Sequence, residues 1–205
     1  MRSSLGVLMA VFMIVLISGC KTGIQVQDNT YDALGGQVIK VSEDFVYIGA
    51  CDPTFLITEG QGRAQKSSGV KTRGDIFVRE EGGNIYEVFV IQRAMLTRTG
   101  HYWSRTTGVP MKYEGTSYKE SFFDAKIAEN PTVESYITFL RQNGYKIDVP
   151  DLYVRRMSRI VGNQVMADIF YGVYPGLIPE GQRGNHAREE QFIRERFDTN
   201  ISVVK

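Results

Sequence analysis

Cysteine and histidine are scarce in this chain, with two of each among 205 residues. A zinc site needs clustered Cys, His or acidic ligands, and a disulfide scaffold needs several cysteines within a short chain. We therefore expect no metal, no cofactor and no disulfide framework. Only six prolines are present and no repeat of about 20–50 residues is visible, which excludes fibrous chains, solenoids and propellers.

An excess of charge of one sign is also lacking, since 24 lysines and arginines face 23 aspartates and glutamates. Proteins that bind nucleic acid carry a clear excess of basic residues, because they neutralise backbone phosphates. We therefore expect no nucleic-acid partner. The length and a hydrophobic content of 42% are those of one globular domain.

The first twenty residues differ from the rest of the chain. Arg2 is followed by an apolar run over residues 5–17, and no charged residue occurs again before Lys21. Such a run is shorter than the roughly 20 apolar residues that a spanning helix requires. The pattern is that of a secretory signal peptide. The run ends in the tetrapeptide Ile17-Ser18-Gly19-Cys20.

This ending resembles the lipobox of bacterial lipoproteins, in which a branched apolar residue and two small residues precede an invariant cysteine. Ile17 stands where leucine is commonest. The resemblance, which is to lipoproteins of Gram-negative bacteria, implies that residues 1–19 are a signal peptide and that the Cys20 thiol receives a diacylglyceryl group. The alternative is a buried N-terminal helix with a chance cysteine.

Acyl chains on Cys20 would make the membrane itself a partner, because each buried methylene contributes about 0.8 kcal/mol. Lys21 follows the cysteine, where an aspartate would resemble an inner-membrane retention signal. We therefore expect a lipid-anchored envelope protein of the outer membrane that faces the periplasm. Removal of Arg2 with the signal leaves 23 basic and 23 acidic residues and makes the mature chain formally neutral. Cys51 is then the only other cysteine, so no internal disulfide can form.

The remaining sequence predicts a tether over residues 20–35 and one domain over residues 36–205. Short β-branched segments at Val38–Val41 and residues 45–50 indicate a hairpin, and the polar residues 60–74 indicate an exposed loop. The pair Gly82-Gly83 indicates a tight turn between two strands, which would set Phe77 opposite Val88. A second long hairpin is predicted over residues 151–161 and 164–174, with residues 165–171 in a central strand.

Helical signals occur at three places. Asn130 and Pro131 precede apolar residues at helical spacing, and Gly144 follows them, which gives a cap, a first-turn proline and a stop. Residues 118–129 are a weaker helix candidate, and residues 185–197 are a third, followed by a strand at residues 201–204. The predicted class is α+β, a mostly antiparallel sheet built from hairpins and covered by two or three helices.

Asp168 is the one charged residue in the predicted central strand. A two-residue turn at residues 162–163 would set Asp168 opposite Met157, with Arg155 and Arg159 diagonal to it on the same face. The simpler interpretation of Arg155, Arg159 and Asp168 is an ion-pair cluster that satisfies a buried carboxylate. If that face of the hairpin is exposed to solvent, the two arginines could instead bind an anion.

His101, Tyr102, Trp103 and Arg105 bring together residue types that are enriched at binding hot spots. Half-buried residues of a strand would be of the same types, so a recognition surface and packing within a sheet both stay open as interpretations. We take these four residues as the candidate ligand or partner surface.

Cys51 could pair with His101 or His186 as a nucleophile with its base. The simpler interpretation is a small buried hydrophobic residue at the end of a strand. We assign no catalytic residue and expect a non-catalytic binding or interaction module, with an envelope protein as a possible partner. The alternatives are an envelope hydrolase built on Asp168 or Cys51, and a structural subunit of an envelope complex.

Overall fold

The computed structural model describes residues 28–32, 37–53, 56–59, 63–66, 69–148 and 150–204. The predicted signal peptide, Cys20 and most of the predicted tether lie outside these residues. A strand at Thr30–Asp32 nevertheless falls within the predicted tether, and its Tyr31 side chain is buried in the core. The folded part of the chain therefore begins before residue 36, earlier than the composition predicted. The burial of the Tyr31 side chain fixes this otherwise polar segment.

The described residues form twelve strands in three sheets. A seven-stranded sheet has the order β3-β6-β7-β11-β10-β9-β8, a three-stranded sheet has the order β1-β2-β12, and β4 pairs with β5. All of these strand pairs are antiparallel, so the α+β class with a mostly antiparallel sheet is confirmed. The strands are β1 (Thr30–Asp32), β2 (Val38–Val41), β3 (Val46–Cys51), β4 (Leu56–Glu59), β5 (Arg63–Lys66), β6 (Val70–Glu81), β7 (Asn84–Leu96), β8 (Val109–Tyr113), β9 (Thr116–Lys126), β10 (Asp151–Val161), β11 (Val165–Val173) and β12 (Ile201–Val204).

Each face of the seven-stranded sheet carries a buried apolar cluster. Side chains alternate along each strand, so the neighbours Ile76 and Phe77 belong to two different apolar clusters. The first cluster lies beneath helix α1 (Pro131–Gln142), and we call this side the α1 face. The second includes residues of the small sheet and of helix α2 (His186–Asn200), and we call this side the α2 face.

Helix α1 begins and ends where its sequence predicted. The Asn130 side chain accepts hydrogen bonds from the N–H groups of Thr132 and Val133, and Pro131 opens the first turn. Gly144 follows the helix with a φ of 87°, a conformation that glycine adopts without strain. Helix α2 is likewise capped by Asn185, and β12 follows it directly.

The helix predicted over residues 118–129 is wrong. These residues form most of β9, and a short 3-10 turn follows at Ile127–Glu129. Tyr118 and Glu120 point to the α2 face, while Phe123 and Ala125 belong to the α1 face. This two-residue alternation outweighs the loose helical spacing of the apolar residues.

The hairpin predicted over residues 38–50 is also wrong, because its two strands join different sheets. β2 lies between β1 and β12 in the small sheet, whereas β3 pairs with β6 at the edge of the large one. A turn closed by the hydrogen bond from Phe45 N to Ser42 O separates them. Phe45 is buried in the core between the two sheets, so the chain crosses from one layer to the other.

The exposed loop predicted over residues 60–74 contains β5 and the first residues of β6. Val70 pairs with Leu96, and Thr72 and Gly74 are buried. The turn at residues 82–83 is present, but a bulge between Arg79 and Glu80 shifts the register by one residue, so Phe77 faces Phe89 and not Val88.

Candidate ligand-binding cavity

The connection between β10 and β11 determines where the predicted ion-pair cluster lies. Val161 pairs with Val165, so the connection has three residues, 162–164, and not the two that the sequence predicted. Asp168 consequently lies opposite Ser158 and not opposite Met157. A shift of one residue moves every side chain of a strand to the other face relative to its partner. Arg155 and Arg159 therefore point to the α2 face, away from Asp168.

Asp168 is paired instead with an arginine that the sequence analysis did not select. Arg156 Nε donates to Asp168 Oδ1 at 2.9 Å, and Gln92 Nε2 donates to Asp168 Oδ2 at 3.2 Å. The carboxylate is completely buried. A charge in this position is tolerated because both of its oxygen atoms accept hydrogen bonds.

The series of hydrogen-bonded side chains that begins at Arg156 continues into helix α1, and we call this series the polar chain. The Tyr136 hydroxyl donates to Gln92 Oε1 at 2.6 Å, so the chain from Arg156 through Asp168 and Gln92 to Tyr136 connects three strands with the helix. Burial raises the pKa of Tyr136 well above its usual value, and nearby Cys51 and Asp168 act in the same direction. Tyr136 therefore stays neutral and serves as a hydrogen-bond donor.

A cavity of about 230 Å³ lies between helix α1 and the sheet, beside this polar chain. Gln92, Tyr136 and Arg156 form its polar end. Gly172 lines its floor, where an added Cβ would come within 3.0 Å of Val88 and 3.4 Å of Leu152. Most of the remaining wall is apolar and includes Val88, Val90, Ala125, Leu140, Leu152 and Val154.

The mouth of the cavity is formed by its half-buried lining residues. Thr132 and Val133 come from the first turn of helix α1, and Phe123, Arg156 and Phe170 come from the sheet. The Arg156 side chain is 21% exposed, so its guanidinium lies at the boundary between the apolar interior and solvent. An apolar pocket with a few oriented polar groups is the usual architecture of a small-molecule site.

The arginines predicted to flank Asp168 have other partners. Arg155 is buried on the α2 face, where its Nε donates to Glu120 at 2.8 Å and its guanidinium lies 4.3 Å from the Phe197 ring centre. Arg159 lies over the Tyr118 ring at 5.3 Å. The predicted cluster of Arg155, Arg159 and Asp168 is therefore wrong, because the three-residue connection separates its members onto two faces.

Sequence analysis also missed a buried carboxylate on the α2 face. Glu87 is completely buried and bonds to Arg79 at 3.2 Å and to Asn200 at 3.2 Å, and Arg196 and the Tyr171 hydroxyl also bind it. An acidic residue within the apolar strand β7 was the available signal. The cluster holds helix α2 to the sheet, so we assign it a structural role.

The candidate surface at His101, Tyr102, Trp103 and Arg105 lies in the connection between β7 and β8 and not in a strand. Trp103 fixes this connection, since its Nε1 donates to Gln164 O at 3.0 Å and its N–H donates to Asn163 O at 2.8 Å. His101 and Arg105 are exposed, and Tyr102 is 70% exposed. Trp103 is thus bound to the neighbouring hairpin while the other three side chains face solvent.

Cys51 lies half-buried at the end of β3, against the apolar cluster beneath helix α1. Burial raises the pKa of its thiol to about 12, with a further contribution from the negative charge of Asp52. A thiol in this state is a poor nucleophile. Among the residues that the structure describes, no group of three or more His, Cys, Asp or Glu could hold a metal ion.

Comparisons with protein-family models, with curated protein sequences and with solved structures found no significant match. Within the described ranges, no helix is long and apolar enough to cross a membrane. The assignment of function therefore depends on the chemistry of the residues themselves.

Proposed function

We propose that this chain is a lipid-anchored envelope protein whose domain, a hairpin-built sheet covered by two or three helices, is a non-catalytic binding module. The cavity beneath helix α1 would hold the apolar part of a small ligand. The observation that carries this proposal is a mostly apolar cavity with a polar chain from Tyr136 to Arg156 at one end.

The size of the cavity favours a small ligand. Its volume of about 230 Å³ lies just below the range of about 300–1,000 Å³ that is usual for drug-sized ligands. The ionisable groups nearby do not favour catalysis. Asp168 is paired, and the raised pKa values keep Tyr136 and Cys51 protonated at neutral pH. The hydrolase alternative built on Asp168 or Cys51 is therefore the weaker one.

The cavity is tested by photo-crosslinking of the full chain in lipid nanodiscs with an alkyl diazirine of about eight carbons. Peptide mapping should place the crosslinks on residues that line the cavity. Ala125→Leu adds three carbon atoms to the wall and should remove this labelling, whereas Val109→Leu, at an exposed position outside the cavity, should not. Equal labelling of the wild type and Ala125→Leu would contradict the proposal.

The anchor is tested separately with the two cysteines of the chain. Cys20→Ala should abolish incorporation of radiolabelled palmitate and release the protein from the membrane fraction. Cys51→Ser is the matched control and should do neither, because Cys51 lies within the folded domain. Membrane association unchanged by Cys20→Ala would contradict the lipoprotein assignment.

Exposed apolar side chains favour a second candidate function, which is binding of an envelope protein. Tyr102 and Val109 are each 70% exposed and lie in and directly after the connection between β7 and β8. Exposed aromatic residues are typical of recognition surfaces. Tyr102→Ser should remove a partner recovered by crosslinking in cells, whereas Val204→Ser, at another exposed apolar position, should not.

A further inference from the structure

Building on the proposed binding function, we propose that the ligand is a medium-chain carboxylic acid. Its alkyl chain would fill the cavity, and its carboxylate would bind Arg156 at the mouth. Three features carry this inference: the orientation of Arg156, the charges around the mouth, and the volume of the cavity.

Arg156 is held in an orientation suited to a ligand. Asp168 binds its guanidinium from the buried side at 2.9 Å, and the Phe170 ring centre lies 5.6 Å away. The hydrogen bonds that Arg156 donates to Asp168, Ser158 and Met166 all use Nε or Nη2. A guanidinium has five N–H donors, so the two N–H groups of Nη1 remain and can bind a ligand carboxylate. Asp168 thereby acts as a positioning residue.

The surroundings of the mouth favour a negatively charged ligand group. Register places Ser121 beside Arg156 and Lys119 beside Ser158, all on the α1 face. Asn130 and Thr132 contribute an amide and a hydroxyl to the lining. Asp168 is completely buried, and it is Gln92 and Arg156, both bound to it, that line the cavity. Arg156 is the one charged side chain among the residues that line the cavity, so the charged group that a ligand meets at the mouth is a guanidinium.

The volume of the cavity determines how long the ligand's alkyl chain can be. A water molecule occupies about 30 Å³ of liquid and a methylene group has a similar size, so a cavity of about 230 Å³ accommodates an alkyl chain of about seven or eight carbons. Each methylene that becomes buried should increase affinity about fourfold. Affinity should therefore rise with chain length to about eight carbons and then level off.

Competition for the cavity crosslink distinguishes the ligand classes. The alkyl diazirine is added to the full-length protein in lipid nanodiscs together with one competitor at a time: hexanoate, octanoate, dodecanoate or octan-1-ol. Octanoate should compete at least about tenfold better than octanol, because a hydrogen bond to a charged group is involved. Arg156→Gln should remove this difference and Arg156→Lys should retain part of it. Arg159→Gln is the matched control, since Arg159 is on the same strand but the opposite face.

The outcomes separate this inference from the proposed function. Equal competition by octanoate and octanol, unchanged in Arg156→Gln, would overturn the carboxylic acid while the binding cavity stands. Absence of cavity labelling in the wild type would overturn both. If Arg156→Gln does not fold, as judged by circular dichroism, the comparison of octanoate with octanol on the wild type and on Arg156→Lys decides the matter.

Discussion

Substitution of Glu87 tests whether buried ion pairs hold helix α2 to the sheet. It is completely buried between helix α2 and the sheet, and it bonds to Arg79 and Arg196. Glu87→Gln keeps the shape of the side chain but removes its charge, so Arg196 loses its counter-ion and Arg79 keeps only its ion pair with the exposed Asp44. Removing one partner of a buried ion pair costs about 3–5 kcal/mol.

The geometry places the expected loss at the lower end of that range. Arg79 is 15% exposed and Arg196 is 32% exposed, so water can solvate part of each charge after the substitution. The Tyr171 hydroxyl can still donate to the amide oxygen. We therefore expect a loss of about 3 kcal/mol in the free energy of unfolding. For a domain of this size the loss corresponds to a fall in Tm of about 6–12 °C.

Urea unfolding followed by circular dichroism measures this loss. Glu81→Gln is the matched control, because Glu81 lies in the adjoining strand β6 and is exposed. We expect the control to change stability by less than about 0.5 kcal/mol. If Glu87→Gln also lost less than about 1 kcal/mol, the buried charges would not hold helix α2 to the sheet and the reasoning would be refuted.

Three further results are expected. Burial raises the pKa values of Tyr113 and Tyr153 to about 12, so their contribution to stability is complete below about pH 10 and is lost as pH rises from there towards 12. Tyrosinate absorbance at about pH 11 should therefore be lower in folded than in urea-unfolded protein; equal values would contradict this. With the pKa of its thiol raised to about 12, Cys51 should react with a disulfide reagent at about pH 8 at least about tenfold more slowly in the folded protein than in urea, and rapid labelling of the folded chain would refute its burial. Gly74→Ala would place a methyl group against the Tyr136 ring and should lower the free energy of unfolding by about 1–3 kcal/mol, measured by thermal unfolding. An unchanged Tm would contradict this expectation and show that helix α1 can move aside.

Local sequence signals predicted the elements that depend on local chemistry. Asn130 and Asn185 are side-chain caps and marked the starts of both α-helices correctly. The apolar run around Asp168 predicted a central strand, and β11 is the middle strand of the large sheet. A helix was predicted over residues 118–129 because the apolar residues in that segment fit either the helical or the strand period when each is counted alone.

The predictions that were wrong concern contacts between distant residues. β2 and β3 belong to different sheets because of their pairing with β12 and β6, which no local pattern contains. One extra residue in the connection between β10 and β11 replaced Arg155 by Arg156 as the partner of Asp168. Sequence analysis thus found the buried carboxylate of the site but not the tertiary contacts that surround it.

The three-stranded sheet has a consequence for the order in which the chain folds. Its central strand β2 pairs with β1, which lies close to it in sequence, and with β12, where Ile201 meets Val41. Closing a loop of about 160 residues costs about 2.5 kcal/mol more in chain entropy than closing a hairpin of about ten residues. We expect the hairpins of the large sheet to form first and β12 to pair with β2 late, so that kinetic intermediates expose the apolar side chains of β2.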